Sequence, residues 1–329
     1  MKKNRIPALI CIVLIFVITA GCSAGHTTDG STPVVLNEVA HSIFYAPQYV
    51  AIEIGFFEVE GFDLTLITGY GADKVMTALI SDNADIGLCG SEANIYAYAN
   101  GQDDYAVVFA QLTQRAGNFL VSRKPMEDFD WSTLKGKKVL GGRAGGMPQM
   151  VFEYILKKNG INPKTDLEID QSIDFGLTAA AFLNDDADFT VEFEPHATLL
   201  EQEGAGYVVA SLGEASGYIP YTSYCAKSSF LEKNPEIIKQ FNKALMRGID
   251  FVNTHTPKEV AEIIAPQFEE SDTDTIASIV ARYQAQDSWK NDMTLTRESF
   301  DLLQDILLEA RELDEKIPYE KLVTTEYTR

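Results

Sequence analysis

Three short segments of the chain combine carboxylates, aromatic rings and glycine turns in ways suited to holding a small molecule. FTVEFEP carries Glu192 and Glu194 two positions apart, so on an extended strand both carboxylates leave the same face. With Phe193 they fit a flat, amine-bearing or cationic heterocycle, hydrogen-bonded along its edge and stacked on its face. GGRAGGMP places glycines at 141, 142, 145 and 146 with no GKS or GKT after them, so neither the dinucleotide pattern nor the P-loop is met. It reads instead as a strand-to-helix turn. Gly145 and Gly146 then offer backbone amides, Met147 a soft apolar surface, and Pro148 opens the helix. Arg143 in that turn either clamps an acidic ligand group or pairs with Glu192 or Glu194. In ADIGLCGSEA, Ser91 stands at a helix start as an N-cap and Glu92 in its first turn, both favoured there by helix electrostatics.

Catalytic chemistry has no comparable footing. Only four histidines occur, none in an HExxH pair, and no Ser-His-Asp or metal-ligand spacing stands out. We therefore expect no catalytic residues, metal or cofactor, and a protein that is not an enzyme. The formal net charge of −21 repels phosphate backbones and argues against nucleic acid as a partner.

From Pro33 onward short apolar runs alternate with helix-length amphipathic ones, the signature of βα units. VVLNE, FDLTLI and ADIGLC read as strands, with helices over Pro47–Ile54, Asp73–Ser81 and Glu92–Ala99. YAVVFAQL and NFLVSR follow, and the charged stretch KPMEDFDWSTLKGK reads as a crossover. A second unit repeats the plan: KKVLGG, a helix from Pro148 to Asn159, LEID, a helix from Phe175 to Leu183, DFTVEF, a helix from Pro195 to Glu203, and YVVASL. IPYTSYCAK reads as a return strand, and the rest is helical and is expected to pack on the first unit. About 300 residues exceed what one core usually supports. The expected fold is thus α/β with two lobes, residues 33–121 with 225–329 forming lobe 1 and 122–224 lobe 2. Two crossings make a hinge with a ligand cleft between the lobes, where strand carboxyl ends point.

The amino terminus sets the expected address. Lys2, Lys3 and Arg5 precede an uncharged apolar run of roughly 15 residues, short of the ~20 needed to cross a bilayer, which closes on ITAGC. Residues 1–21 read as a signal peptide cut before Cys22, whose lipid would hold the protein on the outer face of the cytoplasmic membrane. Residues 22–32 read as a flexible leash. Cys89 and Cys225 are then the remaining cysteines, expected as buried free thiols.

HSIFYAPQYVAIEIGFFEVEGFDL, ALISDNADIGLCGSEA, GGRAGGMPQM and FTVEFEPHATLLEQEG together resemble the binding proteins for nitrate, sulfonate, taurine and thiamine pyrimidines that serve ABC importers. The resemblance runs from about Val35 to Leu308. It implies the type II periplasmic-binding-protein-like fold and a monomeric receptor whose partners are a small-molecule ligand, an ABC permease and its ATPase. GGMP and FEP look most like the branch associated with thiamine-precursor pyrimidines, with alkanesulfonate, taurine or nitrate as the alternative ligand. It also implies that loops after the strands approach the ligand. These hold Glu38, His41 and Tyr45 after the first strand, Tyr70 and Gly71 after the second, and Tyr221 and Tyr224 on the return strand. His41 reads equally well as a surface helix-capping residue, and the tyrosines as core. Yeast-type pyrimidine synthases share the fold, but the CCCFC-like segment they would require is missing here.

Overall fold

The computed structural model describes residues 30–173 and 176–328, so the expected signal peptide, Cys22 and the beginning of the leash lie outside the described residues, as does Phe175 at the start of one expected helix. Among the described residues ten strands form two five-stranded mixed sheets. They are β1 (Thr32–Glu38), β2 (Phe62–Thr68), β3 (Ile86–Gly90), β4 (Ala106–Thr113), β5 (Asn118–Ser122), β6 (Lys138–Leu140), β7 (Glu168–Asp170), β8 (Phe189–Phe193), β9 (Tyr207–Ser211) and β10 (Thr222–Lys227). The first sheet runs β2-β1-β3-β10-β4 and the second β7-β6-β8-β5-β9.

In each sheet the βα units pair in parallel, β2 and β3 on β1, β7 and β8 on β6. The crossing strands run against them: β10 is antiparallel to β3 and β4, and β5 to β8 and β9. β4, at the edge of the first sheet and bridged there by Val323 and Trp289, and β5, inside the second, are buried at every position, in keeping with their near-continuous apolar sequences. Edge strand β2 alternates, with Asp63, Thr65 and Ile67 facing solvent.

Two sequence expectations are corrected by this topology. β5, the NFLVSR segment assigned above to lobe 1, belongs wholly to the second sheet, and β10 wholly to the first. The chain therefore crosses between lobes at 114–117 and 217–221, ahead of the boundaries at 121/122 and 224/225. The crossover stretch KPMEDFDWSTLKGK instead lies inside lobe 2, where Asp130 caps the short turn of helix Trp131–Leu134.

The carboxyl-terminal helices divide their allegiance. Pro235–Thr254 lies along Ala46–Glu53, and a Cβ at Gly248 would collide with the Pro47 carbonyl, so only glycine permits this approach. Its Phe241 stacks near Phe57, Phe109 and Tyr224 in the lobe 1 core. Pro257–Ile264 starts with a capping box between Thr256 and Glu259. Helix Thr273–Ala285, expected on lobe 1, also grips lobe 2: Arg282 pairs with Glu194 and Glu201, and Gln202 donates to Thr275 at 2.9 Å. Cys89 and Cys225 are free thiols buried side by side on β3 and β10, and contact with Cys225 followed by burial pushes the Cys89 thiol well up.

Candidate functional site between the lobes

Contacts across the lobes show that the loops after β1 and β3 face those after β6 and β8. The Ser42 hydroxyl donates to the Glu194 carbonyl at 3.3 Å, and the Phe44 and Phe193 rings stand 6.3 Å apart. The Tyr96 hydroxyl meets the Met150 sulfur at 3.6 Å, and Arg143 reaches Asp73 at 3.6 Å. Between these contacts Tyr45, Ser91, Glu92, Met147, Glu192, Glu194 and Tyr221 are all buried, so the lobes are closed upon one another.

Glu92 is the group with most chemistry to offer. It opens helix Glu92–Ala99, its side chain folds back over Gly90, and a Cβ there would overlap the carboxylate. Its Oε2 is buried without a hydrogen-bond partner, and burial pushes its carboxyl up to about 7. Tyr45 and Tyr221 lie close enough for that charge to add to burial in holding their phenols well above the usual range. An unpartnered buried carboxylate attracts a donor or a cation and repels an anion.

Glu192 and Glu194 part company. Glu192, on β8, accepts from the hydroxyls of Thr190 at 2.6 Å and Thr178 at 2.9 Å, and burial still pushes it up to about 7. Glu194 follows the strand, where its carboxylate accepts from Arg282 at 2.6 Å and from the Thr198 amide at 2.9 Å. Burial outweighs the arginine and leaves the Glu194 carboxyl raised. The expected pairing of Arg143 with either glutamate does not occur, because Arg143 is more than half exposed and spans the lobes to Asp73 on helix Ala72–Ile80.

Several other expected contacts are already spent internally. Glu38 receives Gln48 at 2.7 Å, Tyr49 at 2.8 Å, Thr68 at 3.0 Å and His41 Nδ1 at 2.9 Å, which saturates both its oxygens. His41 Nε2 donates to the Gln267 carbonyl at 2.7 Å. Burial alone would lower His41, but Glu38 and that carbonyl raise it overall. Tyr224 donates to Gln48 at 2.9 Å inside lobe 1. Ser91 holds the cap position without capping, and its hydroxyl bonds to Ser223 at 2.8 Å.

The glycine turns behave similarly. The Gly145 amide donates to the Gln149 side chain at 3.0 Å and the Gly146 amide to the Arg143 carbonyl at 3.4 Å, so these amides are engaged within their own turn. The Gly71 amide donates to the Val39 carbonyl at 3.1 Å, and Tyr70, in the left-handed region at φ 56°, points its ring into solvent. Among the sequence candidates, Tyr45, Glu92, Met147, Glu192, Glu194 and Tyr221 are buried, Phe193 is half-buried, and Tyr70 and Arg143 are exposed.

Two residues escaped the sequence analysis. Asn118 begins β5 with no exposure; its Oδ1 accepts from the Tyr221 hydroxyl at 3.2 Å and its Nδ2 has no partner. Asn94, two residues after Glu92, is buried with neither amide atom bonded. No local signal marked them, since a single asparagine at a strand start or in a helix carries no spacing. Two open hollows, of about 460 Å³ near Lys137 and Asp188 and about 520 Å³ near His255 and Trp289, are lined by none of the candidate residues. Among the described residues no group of three or more His, Cys, Asp or Glu is arranged to hold a metal.

Two mixed sheets with helices match the fold of the periplasmic binding proteins of ABC importers. A family model described as NMT1/THI5 like matches residues 43–259, and the chain belongs to that family. It is 44% identical to YtlA of Bacillus subtilis, provisionally named a binding protein, over 96% of this chain and 94% of that one. The 4-amino-5-hydroxymethyl-2-methylpyrimidine phosphate synthase THI5 of Saccharomyces cerevisiae is 23% identical over 67% of each chain. The alkanesulfonate-binding protein SsuA of Xanthomonas axonopodis, bound to MOPS, superposes with a TM-score of 0.71 at 15% identity, covering 89% of this chain and 98% of that one.

Proposed function

We propose that the chain is the solute-binding component of an ABC importer and that it captures a small amine-bearing nitrogen heterocycle, with a thiamine-related aminopyrimidine as the favoured ligand. The observation that carries this choice is Glu92, a fully buried carboxylate with a free oxygen in the closed interlobe space. A sulfonate or nitrate placed there would meet that charge, while Arg143 and Arg282 are occupied by Asp73, Glu194 and Glu201. An amine would meet an acceptor, and Phe44, Phe193 and Tyr221 supply faces for a flat ring.

The role requires no covalent step: ligand enters between the lobes, the lobes close, and the closed form docks on a permease. In this proposal lipid on Cys22 keeps the protein at the outer face of the cytoplasmic membrane, at high effective concentration beside its permease. A thermal-shift panel of thiamine pyrimidines, nucleobases, taurine, alkanesulfonates and nitrate tests the ligand class. Aminopyrimidine at 100 times its Kd should add about 2.7 kcal/mol of stability. A shift with sulfonates alone would sink the assignment.

A further inference from the structure

We propose that Asn118, its amide held by Tyr221, is the residue that makes the interlobe site choose an amino-substituted ring over its oxo-substituted counterpart. The proposal rests on the interlobe ligand assignment above and names the groups that would enforce it. Tyr221 lies at the second crossing, just before β10, and Asn118 opens β5 immediately after the first. One hydrogen bond thus ties the two crossings together, and it does so at the site.

That bond also sets the polarity of the amide. The Tyr221 hydroxyl donates to Asn118 Oδ1 at 3.2 Å, and the Nδ2 end is buried without a partner. A buried donor left unpaired is unfavourable and rare, and one kept in a ligand cleft is satisfied when an acceptor arrives. The surroundings fit a ring nitrogen. Asn118 stands opposite Phe193 in the β5–β8 ladder, and the rings of Phe193 and Tyr221 lie 6.2 Å apart. Gly117 beside it leaves room for the Phe44 ring, which a Cβ at that position would strike.

Glu92 supplies the complementary half. Its free Oε2 accepts a hydrogen bond when ionised, and its charge is felt at Tyr221. A 4-aminopyrimidine edge presents a ring-nitrogen acceptor beside an N–H donor, which matches an Asn118 donor and a Glu92 acceptor. The 4-oxo form presents an N–H donor beside an oxygen acceptor, the reverse order. A reversed donor–acceptor pair leaves both protein groups facing groups of their own kind.

The test measures Kd at pH 8, where Glu92 is ionised, for 4-amino-5-hydroxymethyl-2-methylpyrimidine and for its 4-oxo analogue. Wild-type protein should prefer the amino form by about 10- to 100-fold, the range typical of a two-point donor–acceptor match. Tyr221→Phe, which removes the hydroxyl and lets the amide turn, should cut that ratio several-fold while the aromatic face survives. Asn118→Asp should cut it at least about 10-fold, with the folded state of each variant checked by its thermal melt. Preference unchanged in Tyr221→Phe would overturn the role of Asn118 and leave the aminopyrimidine assignment standing. Failure of the wild type to bind either pyrimidine would overturn both.

Discussion

At the scale of single residues, the most legible feature was the kind of group present, and the least legible was whether it was already taken. Glu92 and Glu192 both remain protonated far above the usual carboxylate range because burial penalises their charged forms. Each therefore binds its proton more tightly folded than unfolded. Stability contributed by that difference is present below about pH 4.5 and is lost as pH rises towards 7, by at most roughly 3 kcal/mol per group. Glu192→Gln should accordingly melt higher than wild type at pH 8 and lose that advantage near pH 4.5, read by thermal denaturation across the range. A wild-type advantage at pH 8 would contradict it. Sequence had grouped Glu38 and His41 with these carboxylates as ligand contacts. What it could not display was Gln48, Tyr49 and Thr68 converging on Glu38 from separate elements, a saturation that depends on tertiary packing. Asn118 was missed for the mirror-image reason: its significance is an unpaired atom, and pairing is invisible in a string of residues.

At the scale of elements, period and length identified nearly every strand and helix, but not which sheet each crossing strand would join. NFLVSR and IPYTSYCAK both read as strands, and an apolar strand buried on both faces carries no mark of its neighbours. Helix Thr273–Ala285 shows the same limit, since its apolar stripe fits lobe 1 while Arg282, on its other side, fastens to Glu194 and Glu201 of lobe 2. Tyr283 of that helix donates to the Gly117 carbonyl at 2.9 Å, and Trp289 just beyond it to the Phe44 carbonyl at 2.9 Å. These bonds hold the crossing and the first-lobe loop in one frame. Arg282→Ala strips the cation from a fully buried Glu194 and should destabilise by about 2 kcal/mol, below the full buried-pair cost because Arg282 is partly exposed. Glu194→Gln in the same background should recover part of that loss. Arg143→Ala, by contrast, removes an exposed pair and should change stability by less than about 1 kcal/mol and leave aminopyrimidine affinity intact. An Arg143→Ala variant that lost binding altogether would restore the arginine to the role of ligand clamp.

For the whole molecule, two sheets joined by two crossings bring the aromatic rings of Phe44, Phe193 and Tyr221 together between the lobes, with the buried Glu92 carboxylate near Tyr221. The family and the two-lobed architecture were both readable, because the alternation of βα units repeats and because GFF…GFDL and FEP are long enough to be specific. Ligand identity was not, since it depends on a handful of atoms left unpaired when the lobes meet. Glu92 and Asn118 each own one such atom, and the proposed ligand is the amine-bearing ring they would share. Titration calorimetry of the purified protein with 4-amino-5-hydroxymethyl-2-methylpyrimidine and, separately, with taurine measures this directly. Saturable one-to-one binding of the aminopyrimidine is expected, weakened at least about 10-fold by Glu92→Gln through loss of a charge-assisted hydrogen bond, with no heat of binding for taurine. Tight binding of taurine with none of the aminopyrimidine would contradict it.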